Sequence, residues 1–102
     1  MDSFTALAAA PRRRILGALR AGPGSVNDLA AALALRQPAV SKHLKVLREA
    51  GFVSCRGDGQ RRIYELAPAR FTELERWLEP YRVLWSRRLD ALELHLDRED
   101  EP

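Results

Sequence analysis

The sequence predicts a mainly α-helical domain carrying one small β-hairpin, and three observations carry that expectation. Apolar residues recur at steps of three and four in several stretches bounded by caps, prolines or glycines. Two short β-rich runs, "FVSCR" and "RRIYEL", flank the turn-forming "GDGQ". The last third holds an apolar stripe longer than a small domain covers by itself. With 102 residues and 46 % hydrophobic content, the chain reads as one domain (residues 1–102) with a real but small core.

Each element has its own reason. "SFTALAA" (3–9) predicts a short helix with Ser3 as its cap and Phe4 and Leu7 on one side. Pro11 suits the first turn of a second helix, where a missing N–H costs nothing, and Ile15, Leu16 and Leu19 give its buried side. "AGPG" (21–24) stops it. Ser25 and Asp28 then form an S-x-x-D capping box, and a third helix follows with Leu29 and Leu33 facing inward.

The fourth helix, about 37–50, starts with Pro38 in its first turn and ends at Gly51. Val40, Leu44 and Leu47 lie on one stripe at i, i+4 and i+7. Opposite them stand Ser41, Lys42 and Lys45, with Gln37 at the N-terminal end; these are the only two lysines of the chain. The Asp58-Gly59 pair predicts a hairpin over about 52–67. From about Ala69 to Leu96, apolar residues from Phe71 to Leu96 step by three or four, and Pro80 is expected to kink or interrupt that helix near Glu79.

Two short helices joined tightly and followed by a hairpin make the plan of a winged helix–turn–helix. In that plan the second helix enters the major groove and the hairpin, the wing, touches the flanking backbone. Charge agrees with it. Residues 36–62 hold seven basic residues against two acidic ones, in a chain of formal net charge +3 and pI about 9.6.

"PAVSKHLKVLREAGFV", the wing "RGDGQRRIYEL" and the preceding "RRRILGALRAG" resemble the ArsR/SmtB family of bacterial transcriptional regulators over roughly Phe4 to Leu96. The resemblance implies a homodimeric repressor of double-stranded DNA with a palindromic operator, released by an inducer that the sequence does not identify. It also implies that the first and last helices form the dimer interface, which would use Phe4, Leu7, Leu78, Tyr81, Trp85, Leu89 and Leu92. Two departures stand out. Arg36 occupies the place of a common serine cap, and "ALAAAPRR" lacks an aspartate usual at the entry to the second helix.

On this plan Ser41 and Lys45 reach base edges, Lys42 reaches phosphate, and Gln37 lies at the groove end of the helix. His43 sits at the edge of the apolar stripe, equally suited to packing, capping or a DNA contact. Arg56, Arg61 and Arg62 of the wing are expected on phosphate or in the minor groove.

Other readings are open to test. A metal- or thiol-responsive repressor of the same fold is the first rival, and a helical protein-interaction module the second. No cofactor or metal is expected. A zinc site wants four converging ligands, and the chain offers His43, Cys55 and His95 plus carboxylates. The cysteine pair that many metal-sensing relatives carry is replaced by "SVNDLAAAL", and only His95 remains of a two-histidine pattern in the last helix. A site from Asp90, His95 and their symmetry mates is the remaining alternative. No nucleophile–base pair, paired-carboxylate site or phosphate loop assembles, so an enzyme is not expected. The N-terminal charges follow the apolar run, the reverse of a secretory signal, and no run approaches the ~20 apolar residues of a membrane span; the expectation is cytoplasmic.

Overall fold

A computed structural model describes the backbone of residues 2–99 and the side chains of residues 2–93. In chain order the elements are α1 (Ser3–Ala8), α2 (Ala10–Leu19), β1 (Gly24–Ser25), α3 (Val26–Leu33), α4 (Gln37–Glu49), β2 (Val53–Asp58), β3 (Arg61–Leu66) and α5 (Pro68–Glu99). They form two compact units, one ending at Phe71 and one beginning at Thr72. Among the described residues no helix is long and apolar enough to cross a membrane.

In the first unit the apolar stripes meet as their spacing predicts. Ile15, Val40, Leu44, Leu47 and Phe52 are fully enclosed, and Leu16, Leu19, Leu29 and Ile63 join them. Leu33 is only half-buried. The capping box of α3 is present in both directions: Asp28 N–H donates to Ser25 Oγ, and Ser25 N–H donates to Asp28 Oδ2 at 3.0 Å. Two consecutive arginines finish other helices. Arg13 donates to the Leu7 and Ala8 carbonyls at the end of α1, and Arg14 donates to the Leu33 carbonyl at the end of α3. Both supply donors that terminal carbonyls otherwise lack.

Four details differ from the sequence reading. The cap of α1 is Asp2, not Ser3; its Oδ1 accepts from Thr5 N–H at 2.7 Å, and that bond holds its carboxyl below the usual range. The wing is part of a three-stranded antiparallel sheet ordered β1-β3-β2, because Gly24 and Ser25 pair with Tyr64 and Ile63. The hairpin loop is Gly59-Gln60, one residue later than Asp58-Gly59, since Asp58 pairs with Arg61. Gly59, at φ 64°, takes the left-handed first loop position that favours glycine. Finally, Pro80 does not interrupt α5, which is helical on both sides of it. Pro80 and Arg76 are both exposed, on a stretch where the carbonyl that proline leaves without its helical donor lies at an exposed residue.

The end of α4 is closed from downstream. Gly51 has φ 86°, and a Cβ there would stand 3.1 Å from Arg70 Nε. Arg70 Nε donates to the Ala50 carbonyl at 2.9 Å, Ala67 N–H donates to the Phe52 carbonyl, and the Phe71 ring tilts against Phe52 at 5.1 Å.

The second unit is the remainder of α5. Trp77 and Tyr81 stack at 5.0 Å, Arg82 pairs with Glu79 at 2.7 Å, and the Arg88 guanidinium lies 5.8 Å from the Trp85 ring centre. Leu78, Tyr81, Trp85, Leu89 and Leu92 are each about half exposed or more.

Candidate nucleic-acid interface

Helix α4 is rooted by one face and free on the other. Val40, Leu44 and Leu47 have no exposed surface, whereas Gln37, Ser41, Lys42 and Lys45 are all exposed. The helix begins without a side-chain cap, because Arg36 makes no capping bond; Pro38 in the first turn removes one donor that would otherwise need a partner. The turn from α3 is tight. Ala34 adopts the left-handed conformation at φ 54° and closes α3 by donating to the Ala30 carbonyl.

Gln37 Nε2 donates to Asn27 Oδ1, which ties the first residue of α4 to the first turn of α3. Asn27 was not among the residues expected from sequence; its partner lies ten positions on, and only the fold brings them together. His43 is half-buried at the edge of the stripe, and its pKa is lowered by that burial and by the nearby Arg12 guanidinium. The neutral imidazole is therefore favoured.

The wing arginines divide. Arg56 and Arg62 are exposed on β2 and β3. Arg61 is turned back onto α3: its Nη2 donates to Asp28 Oδ2 at 2.9 Å and to Ser25 Oγ at 3.1 Å. The Asp28 carboxyl is held below its ordinary range first by its bonds from Ser25 and then by Arg61. A polar cleft of about 190 Å³ lies between the starts of α3 and α4 and the wing, lined by Asn27, Gln37, Gln60, Arg61 and Arg62 among others.

Among the described residues, no three Cys, His, Asp or Glu side chains gather as metal ligands. Cys55 is half-buried on β2 opposite Tyr64, whose hydroxyl is pushed up by burial and by the Cys55 thiol. The side chain of His95 lies outside the described residues.

A model of the arsR family of bacterial regulatory proteins matches residues 11–54, from α2 to the start of β2. The HTH-type transcriptional regulator Rv2034 of Mycobacterium tuberculosis is 38 % identical over 99 residues, covering 97 % of this chain and 90 % of that protein. The chain belongs to the ArsR family of bacterial regulators. Solved structures agree. One described as a possible transcriptional regulator for arsenical resistance superposes with a TM-score of 0.74 at 36 % identity, over 89 % of this chain and 95 % of that one. The homodimeric winged helix–turn–helix DNA-binding domain Mb0332 of Mycobacterium bovis gives 0.63 at 27 % identity, over 86 % and 79 %.

As an ArsR-family member the protein is a helix–turn–helix transcriptional regulator and not an enzyme. The family match runs across the whole of α3, α4 and the turn between them. Within that frame α4 starts at Arg36 without a side-chain cap, with Pro38 in its first turn and Gln37 bonded to Asn27.

Proposed function

We propose that this ArsR-family regulator is a homodimeric repressor that reads a palindromic operator through α4 and does so without a metal. The observation that carries the reading is the division of α4: a fully enclosed apolar stripe on one face, and both lysines of the chain exposed on the other. Ser41 and Lys45 read base edges, Gln37 and Lys42 flank them, and Arg56 and Arg62 hold phosphate from the wing. His43 supports α4 from the margin. The domain then comprises a recognition helix over about 37–50, a wing over about 52–67 and a dimerisation helix over about 69–96, acting in the cytoplasm where its DNA is.

Dimerisation is supported by the half-exposed Leu78, Tyr81, Trp85, Leu89 and Leu92, by Phe4 and Leu7 on α1, and by the likeness to a homodimeric domain. An apolar row of this size in water calls for a partner. Independence from metal rests on ligand counting, since oxygen ligands without an imidazole pair favour hard ions over zinc or copper.

The test is selection of an operator from random duplexes, followed by a salt titration. With about three or four phosphates neutralised per protomer, the log–log slope is expected near −5 to −7, and one shallower than about −2 removes the basic segment as the binding surface. Repeating the titration with zinc, nickel, cobalt or a chelator should change affinity less than about tenfold, ~1.4 kcal/mol of coupling. A larger change with any one of them overturns metal independence.

A further inference from the structure

We infer that Arg61 is a positioning residue: it clamps the wing to the first helix of the helix–turn–helix through Asp28 and Ser25, and it does not contact DNA. This rests on the reading of α4 and the wing as a DNA-binding surface. Arg61 stands at the start of β3, beside the hairpin loop, and reaches back 33 positions to the third residue of α3. One guanidinium nitrogen serves both the Asp28 carboxylate and the Ser25 hydroxyl. Those same two groups close the capping box of α3, so the wing and the helix start share one hydrogen-bonded unit. The backbone is joined at the same place, where Ser25 pairs with Ile63 on β3.

The neighbouring arginine has the opposite situation. Arg61 is bonded to Asp28 and Ser25, whereas Arg62, the next residue of β3, makes no such bond to α3. Arg62 is exposed and borders the cleft between the wing and α4. One arginine orients the wing, and its neighbour is left to hold phosphate. The Arg61–Asp28 pair taken together is neutral toward a phosphate, and leaving it would strand Asp28 next to the DNA backbone.

Asp28→Asn separates this from a direct phosphate contact by the sign of its effect. The asparagine keeps an acceptor for the Ser25 N–H, so the cap of α3 survives, but the ion pair with Arg61 is gone. If Arg61 contacts phosphate, removing a nearby negative charge tightens operator binding. If Arg61 is a clamp, binding weakens. We expect Asp28→Asn and Arg61→Gln each to weaken operator binding about three- to fivefold, the scale of one exposed ion pair. The double variant should be no weaker than either single one, because both remove the same contact. The salt slope should stay unchanged in both, whereas Arg62→Gln should reduce its magnitude by about one. Arg61→Lys should recover part of the affinity, and the urea midpoint should barely move.

In the free protein, the amides of the Ser25–Ile63 pairing should exchange faster in Asp28→Asn and in Arg61→Gln than in the unaltered chain. Tighter binding by Asp28→Asn, a shallower slope in Arg61→Gln, or unchanged exchange in both variants each overturns the clamp. If the unaltered protein selects no duplex at all, the regulator reading falls, and amide exchange alone decides the clamp.

Discussion

Helices α4 and α5 carry the same instruction in sequence, apolar residues three and four apart, and meet opposite fates. In α4 the stripe of Val40, Leu44 and Leu47 is fully enclosed. In α5, Trp85 and Leu89 keep 60 % and 56 % of their surface exposed. Periodicity thus says which face of a helix is apolar, and the supply of covering surface decides whether that face is buried. For α4 the same chain supplies it, from α2, α3 and β2. For α5 it must come from elsewhere, and a second copy is the proposed source.

The largest expected effect is on the α5 side. Leu89→Asp places a charge in an apolar contact without a partner, which costs several kcal/mol. The variant should sediment as a monomer or misfold, and operator affinity should collapse although no DNA-facing residue was altered. An intact dimer would break the comparison at its base. On the α4 side, Leu44→Ala should cost about 2–5 kcal/mol in urea unfolding, because the enclosed site leaves a cavity. Lys45→Ala, on the exposed face of the same helix, should leave stability unchanged and relax preference at one operator position by about 1–3 kcal/mol. Uniform weakening across all positions would move Lys45 from base edge to phosphate.

The smallest effect falls on the boundary between the two faces of α4. Burial and Arg12 lower the pKa of His43 in the folded chain, so the unfolded chain takes up its proton first as pH falls. The stability this contributes is therefore present above the unfolded value of about 6.5 and is lost as pH falls from there through the lowered folded value. The melting temperature should decline modestly from pH 7.5 to pH 5.5, and less in His43→Gln. An equal decline in both would remove His43 as the cause.

Short-range rules read most of the first unit from sequence: the capping box at Ser25 and Asp28, the stripe of α4, its stop at Gly51, and a hairpin within one residue of its place. What sequence missed depends on distant partners. Strand β1 is two residues long and exists only because Tyr64 and Ile63 come alongside, 38 or more positions later. Arg61 looked like any wing cation until Asp28 stood 2.9 Å away. Asn27 carried no signal at all until the fold set it against Gln37. Pro80 does not interrupt α5 for another reason: the cost of a proline depends on the exposure of the carbonyl it orphans, and the spacing of letters does not report exposure.

The Arg70 bond to the Ala50 carbonyl has a consequence for the order in which the molecule is made. Every residue proposed to touch DNA has left the ribosome once residue 62 is out, yet the Ala50 carbonyl just past α4 still lacks its donor at that moment. That carbonyl, the carbonyl of Phe52 and one face of the Phe52 ring are met by residues 70, 67 and 71 respectively. The proposed DNA-reading half is therefore completed in a nascent chain only as the first turn of α5 emerges, with the rest of that helix still to be synthesised. Domains that fold during synthesis do so from the N-terminal side. The proposed reading head is thus finished before the apolar row of α5, the larger part of the proposed dimer surface, has emerged.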